Sequence, residues 1–208
     1  ELKTKGAEEI IVLTVSSAMS ATFDTATQAA SKVDFPVHVV DSKGPTMTLG
    51  WQVLAAVRAL EDGKPIQAVL ERIDEVRRNL VQLVFMDSIE YLYKGGRIGM
   101  ATNLLSSALK ITPVIQINHE TGLVESLLKV RTRTKALEAF YQAFLDRIGD
   151  GPVKHIAVLH GNVSDEARIL IEQVKQDLAP TELITNITGP VLGINTGPGA
   201  LALCGYSE

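Results

Sequence analysis

The sequence predicts an α/β protein in two parts, the first built on a parallel β-α-β unit and the second of mixed α+β character. Three observations carry this. Two short runs rich in β-branched residues, 10–13 and 36–40, stand either side of one helix-length segment, as a parallel pair with a crossover requires. The cluster Asp62-Gly63-Lys64-Pro65 then interrupts the pattern and marks a boundary, giving a first domain over 1–63 and a second over 64–208. Beyond it, His119-Glu120-Thr121-Gly122 lies between two strand-like runs and is short enough for a hairpin, which demands antiparallel pairing.

Each element follows from its residues. Residues 10–13 (Ile-Ile-Val-Leu) are apolar throughout, the pattern of a strand covered on both faces. Ser20 is placed to cap a helix over 21–31, its hydroxyl accepting from an amide of the first turn. Residues 36–40 supply the second strand. After Asp41-Ser42-Lys43-Gly44-Pro45 a helix is expected, with Gly50, Val53, Leu54 and Val57 on its apolar face. Pro65 suits the first turn of the next helix, where Ile66, Val69, Leu70, Ile73, Val76 and Leu80 recur at a 3.6-residue spacing. A strand over 81–86 leads to a loop, Tyr91-Leu92-Tyr93-Lys94-Gly95-Gly96-Arg97-Ile98-Gly99, and to a helical stripe of Ala101, Leu104, Leu105, Ala108 and Leu109.

The hairpin strands run over 114–118 and 123–130, with Gly122 supplying the positive φ of the turn. A helix over 134–148 buries Leu137, Phe140, Tyr141, Phe144, Leu145 and Ile148. A strand over 154–160, a helix over 165–178 and a strand over 182–187 follow, and 189–204 reads as a glycine-rich apolar return. The chain enters the apolar run at Ile10 almost at once, as though it started partway through its first domain.

Composition narrows the function. With 20 Lys and Arg against 24 Asp and Glu the chain carries a net charge of −4, so it is no general binder of nucleic acid. At 46% hydrophobic and 21% charged it can bury a sizeable core. No apolar stretch reaches the ~20 residues that span a bilayer. The single Cys204 forms no internal disulfide and the first residues lack the apolar core of a signal peptide, so a cytoplasmic protein is expected. The four histidines have no metal-ligand spacing, and neither a metal nor a cofactor is expected.

Four segments carry candidate chemistry. Ser16-Ser17-Ala18-Met19-Ser20-Ala21-Thr22 places hydroxyls and free amides between a strand and a helix, where α/β sheets bind carboxylate or phosphate; simple capping by Ser20 is the plainer alternative. The loop around Gly95-Gly96-Arg97 lets backbone approach a ligand while Arg97 offers its planar fork to an oxyanion, against the alternative of an ordinary glycine turn with solvated charge. It matches no nucleotide-binding fingerprint. Lys129, Arg131, Arg133 and Lys135 alternate and would share one face of an extended strand, either solvated or docked on an acidic partner. Gly189 to Ala200 holds four Gly and two Pro in twelve residues, with Asn195 and Thr196 at its centre.

Taken in order, these segments resemble the DegV family of bacterial lipid-binding proteins. The serine turn, Val40-Asp41-Ser42-Lys43, Lys94-Gly95-Gly96-Arg97-Ile98-Gly99, Lys129-Val130-Arg131-Thr132-Arg133 and Thr196-Gly197-Pro198-Gly199-Ala200 carry the likeness over nearly the whole chain. The resemblance implies two α/β domains, the N-terminal one Rossmann-like and truncated here, with a long-chain fatty acid held between them. It implies a protein that does no chemistry itself and presents the acyl chain to a separate fatty acid kinase, which forms an acyl-phosphate for phospholipid synthesis. By motif, Ser16 or Ser17, with Ser20 and Asn195, would hold the carboxylate, and Arg97 would lie near its mouth; Ile98, Leu104 and Leu105 would line the tail tunnel.

Two departures stand out. Asn195 takes the place of the family's customary His, and an amide donates a hydrogen bond but carries no proton or charge near neutral pH. Ala21 takes the place of a customary Gly. The competing reading, a binding protein or enzyme for a small phosphorylated metabolite, rests on the same turn, Arg97 and the basic stretch. A short polar pocket would mark it.

Overall fold

A computed structural model describes residues 1–105 and 111–208, and these fall into two compact units. The first comprises 1–78 together with 118–123, the second 79–117 with 124–208. The helix after Pro65 therefore packs with the first unit, whereas the punctuation at 62–65 assigned it to the second.

In the first unit, β1 (Ile10–Thr14) and β2 (Val37–Asp41) pair in parallel, connected by α1 (Thr22–Ala30), as the β-α-β pattern requires. Two helices follow, α2 (Met47–Glu61) and α3 (Ile66–Asn79). Their buried Ala56, Ala59, Val69 and Ile73 meet Ile11, Leu13 and Val40 of the sheet to form a small core. The buried side of α2 is not the expected one. Thr48, Trp51, Gln52, Ala55, Ala56 and Ala59 face inward, while Val53 and Val57 are exposed. Three alanines and a tryptophan outweigh the valine stripe, because close helix packing favours alanine where backbones approach.

The second unit is a six-stranded mixed sheet in the order β5-β4-β3-β8-β6-β7. Its strands are β3 (Val81–Phe85), β4 (Thr112–Ile117), β5 (Val124–Val130), β6 (Lys154–His160), β7 (Glu182–Ile187) and β8 (Leu201–Ser207). Only β6 and β7 are parallel; the other four pairings are antiparallel. The helices are α4 (Glu90–Lys94), α5 (Arg133–Leu145), α6 (Ser164–Leu178) and α7 (Pro190–Thr196). Phe140 and Phe144 of α5 pack on Phe85, Leu83, Ile156, Val158, Leu201 and Leu203, the Phe85 and Phe140 rings lying 6.2 Å apart.

The glycine-rich return resolves into α7 and β8, and β8 is a central strand between β3 and β6. Leu201-Ala202-Leu203-Cys204-Gly205-Tyr206 is buried throughout, an unbroken apolar run whose Ala, Cys and Gly hide its strand character. The helical stripe after the glycine loop is a 3₁₀ helix, Gly99–Leu104; Ala108 and Leu109 lie outside the described residues. The basic run does not share one face, because β5 stops at Val130 and Arg133 opens α5 after the extended Thr132. No helix among the described residues is long and apolar enough to cross a membrane.

Candidate functional site

The serine turn occupies the carboxyl end of β1, immediately before α1. Its amides are engaged within the first unit rather than free as the sequence suggested. The Ser16 amide donates to the Gly44 carbonyl, the Ser17 amide to Asp41 Oδ1, the Ala18 amide to Ser16 Oγ, and the Met19 and Ser20 amides both to the Ser16 carbonyl. Ser20 sits one position before the helix cap, Ala21, and its hydroxyl accepts from the Thr22 amide at 3.3 Å while lying 2.8 Å from Thr22 Oγ1.

The two neighbouring serines do different things. Ser16 is fully buried, and its hydroxyl donates to the Gly122 carbonyl at 2.9 Å. A β-carbon on Gly122, whose φ is +75°, would stand 2.2 Å from Ser16 Oγ, so this approach requires glycine twice over. Ser17 is exposed. Of the two, Ser17 has its side chain at the surface, and bonding a ligand carboxylate would turn its single hydroxyl proton away from Asp41.

Beside Ser17 lies Asp41, the last residue of β2, whose part in this turn no local sequence signal marks. Its Oδ1 accepts from the Ser17 amide at 3.2 Å and the Lys43 amide at 2.9 Å, and its Oδ2 lies 3.0 Å from Lys43 Nζ. Burial works to raise the Asp41 carboxyl, but hydrogen bonds from the Ser17 hydroxyl, from Lys43 and from the Ser17 amide outweigh it and hold the group below the usual aspartate range. Lys43 itself has a φ of 58°, a left-handed conformation uncommon outside glycine. Ser42, fully buried, donates to the Gly44 carbonyl, and Gln52 of α2 donates to the Ser42 and Thr48 carbonyls at 2.9 and 2.8 Å, bracing this loop from behind.

His119, in the turn that belongs to this unit, has both ring nitrogens buried and without a hydrogen-bond partner. Burial, reinforced by the nearby Arg77 guanidinium, pushes its pKa down to about 4, so the ring is neutral at physiological pH. Arg77 also donates to the His119 carbonyl.

In the second unit the structure brings together two motifs a hundred residues apart. A β-carbon on Gly95 would strike Asn195 Oδ1 at 2.3 Å, and one on Gly197 would strike the Tyr91 ring at 2.5 Å. The glycine loop and the end of α7 thus fit against one another through contacts that only glycine leaves open. Arg97 is exposed and donates to the Gly95 carbonyl at 2.7 Å, while Asn195 Nδ2 donates to the Val191 carbonyl at 3.0 Å. Of the expected tail-lining residues, Ile98 and Leu104 are buried and Leu105 is exposed.

A third motif joins the same unit through Arg133. Its guanidinium makes a two-pronged pair with Glu166, bonds Asp87, donates to the Gly199 carbonyl at 3.0 Å and lies 4.7 Å from the Phe85 ring centre. The hydrogen bonds from Arg133 hold Glu166 below the usual glutamate range. Sequence spacing gave no sign of this hub, since Asp87, Arg133, Glu166 and Gly199 come from four separate segments. No group of three or more His, Cys, Asp or Glu among the described residues is placed to hold a metal ion.

The five motifs and their placement agree with a family model, "Uncharacterised protein, DegV family", that matches residues 1–208. The chain belongs to the DegV family. It is 35% identical over 206 residues to a DegV domain-containing protein of Clostridium acetobutylicum, covering 97% of this chain and 71% of that one. A DegV domain-containing protein of Streptomyces coelicolor is 36% identical over 200 residues, covering 95% and 70%. Among solved structures, a DegV family protein from Thermus thermophilus described as fatty acid binding superposes with a TM-score of 0.91 at 29% identity, covering all of this chain and 74% of that one. DegV of Bacillus subtilis, described as a fatty acid binding protein, gives 0.88 at 26% identity, with coverage of 100% and 74%. The family recognised from the serine turn, the glycine loop and the terminal Thr-Gly-Pro-Gly-Ala is therefore the right one, and so is the α/β class with a small parallel sheet and a larger mixed one.

Proposed function

We propose that this chain binds a long-chain fatty acid, with the carboxylate at the Ser17 hydroxyl and the nearby Ser20, and presents it to a separate fatty acid kinase without performing chemistry itself. The observation that carries the reading is the likeness, at a TM-score of 0.91, to a family member described as fatty acid binding. The serine turn supports it locally: one hydroxyl is exposed at a strand end, on a loop that Ser16, Gln52 and Gly122 hold in place. Buried methylenes contribute about 0.8 kcal/mol each, so the acyl tail supplies most of the affinity and the headgroup sets polarity and register. Ile98 and Leu104 are the described tail-lining candidates that have an apolar, buried setting.

By motif, Arg97 and Asn195 are further carboxylate-binding candidates in this proposal. Asn195 is a neutral amide that carries no proton near neutral pH, so this departure from the customary His bears on kinase coupling more than on lipid binding.

The test is mass spectrometry, native and denaturing, of the protein purified without added lipid. An adduct with the mass of a long-chain fatty acid is expected, followed by transfer of phosphate to that acid when a fatty acid kinase and ATP are added. A bare protein that also fails to take up palmitate or oleate overturns the reading and moves the weight to a small phosphorylated metabolite.

A further inference from the structure

The backbone amides of the serine turn itself are largely engaged before any ligand arrives. Those of Ser16, Ser17, Ala18, Met19, Ser20 and Thr22 all donate to acceptors in the first unit. The Ser17 amide, meanwhile, donates to Asp41 Oδ1 at 3.2 Å, which places the carboxylate directly beside that residue. A ligand carboxylate bonded to Ser17 therefore comes close to a fixed negative charge, and two like charges so placed disfavour each other. Something must offset Asp41.

Lys43 is built to do so. Its amide donates to Asp41 Oδ1 and its ammonium pairs with Asp41 Oδ2, so both ends of one residue converge on one carboxylate. The left-handed φ of 58° is what folds the residue back on itself. Its stem passes the α-carbon of Gly122, where an added β-carbon would lie 3.4 Å from Lys43 Cδ, so the chain is guided rather than loose. The Asp41 side chain is 9% exposed and that of Lys43 30%, which places the acid underneath and the cation toward the surface. An ammonium has three donors, and Asp41 Oδ2 takes one of them.

We infer that the Lys43 ammonium supplies the counter-charge for the bound carboxylate, with Asp41 holding it in position beside Ser17. This rests on the fatty acid reading above and adds to it a residue that makes the site choose an acid over a neutral lipid of the same length. The tail cannot make that choice, because it is identical in both ligands.

Palmitic acid and 1-hexadecanol competing for the protein in native mass spectrometry isolate the headgroup. A hydrogen bond to a charged group contributes enough that the acid-over-alcohol preference should fall about tenfold in Lys43→Met and return in large part in Lys43→Arg. Loss of acid and alcohol binding by one common factor in Lys43→Met, with the preference intact, overturns the inference and leaves Lys43 a structural support. A wild-type protein that takes up neither lipid overturns both this inference and the fatty acid reading, whereas one that binds both equally well overturns this inference alone.

Discussion

The first unit carries its turn on two half-exposed strands and an α1 with no buried residue, while the second carries its turn beside β8, buried from Leu201 to Tyr206. Polar bonds do the fixing in the first: Ser16 to Gly122, Gln52 to Ser42, Asp41 to Ser17 and Lys43. In the second, Arg133 ties Glu166, Asp87 and Gly199 together, but on top of a core with three packed phenylalanines. Apolar burial makes a rigid platform, and directional bonds position a turn where burial is thin. A site in the first unit should accordingly respond to single polar changes and to pH, and one in the second mainly to loss of volume.

The sharpest way to break this contrast is to cut each core. Phe140→Ala, which removes a fully buried ring against Phe85, is expected to destabilise by about 3–5 kcal/mol. Ile73→Ala sits among Ala56, Ala59 and Val69 in the smaller cluster, where less surrounds the hole, and should fall near 2 kcal/mol, the lower end of its class. Urea titrations of the two variants decide the matter. Equal losses would mean that the first unit is packed as firmly as the second.

Acid comes next in size. Well above pH 6.5, the ordinary histidine value, His119 is neutral in both the folded and the unfolded chain, and contributes nothing to pH dependence. As pH falls from 6.5 toward 4 the unfolded chain takes up a proton that the folded one, with its pKa lowered to about 4, refuses. Stability is therefore lost across that window, by roughly 3 kcal/mol when complete. The paired carboxylates Asp41 and Glu166, held below their ordinary 3.8 and 4.5, contribute stability that is lost at lower pH, so the two effects separate. His119→Phe should flatten the curve between pH 6.5 and 4.5. If wild type and variant lose stability in parallel over that range, the buried ring is not the sensor.

How much of this was legible in the residues depends on whether the signal was local. The β-α-β unit, the hairpin and the strands at 154–160 and 182–187 could be read because periodicity and turn chemistry act over a few neighbours. The face of α2 was misread because alanine and glutamine face inward there, and no rule of hydrophobic spacing prefers Gln52 to Val53. Strand β8 was missed because its burial depends on β3 and β6, which lie far away in the chain. At the site, the serine turn was found by its hydroxyls. The division of labour between Ser16 and Ser17 was not, since it depends on Gly122, 106 residues on from Ser16. Lys43 stood in the quoted motif, yet only the left-handed backbone brings its ammonium to Asp41.

That division of labour gives the smallest and most discriminating comparison. Ser16→Ala leaves the Gly122 carbonyl and the Ala18 amide without their partner in a buried place, which should destabilise by about 1–3 kcal/mol. Ser17→Ala removes an exposed hydroxyl and should change stability by less than about 1 kcal/mol. For palmitate the order reverses: Ser17→Ala is expected to weaken binding several-fold by removing a direct contact, and Ser16→Ala to act only as far as the turn loosens. Urea midpoints set beside dissociation constants separate the two, because a structural serine moves the first and a binding serine the second. Unchanged dissociation constants in both variants would remove the serine turn from the proposed site, and the exposed Arg97 would then be the next oxyanion donor to examine, since its planar fork needs no hydroxyl beside it.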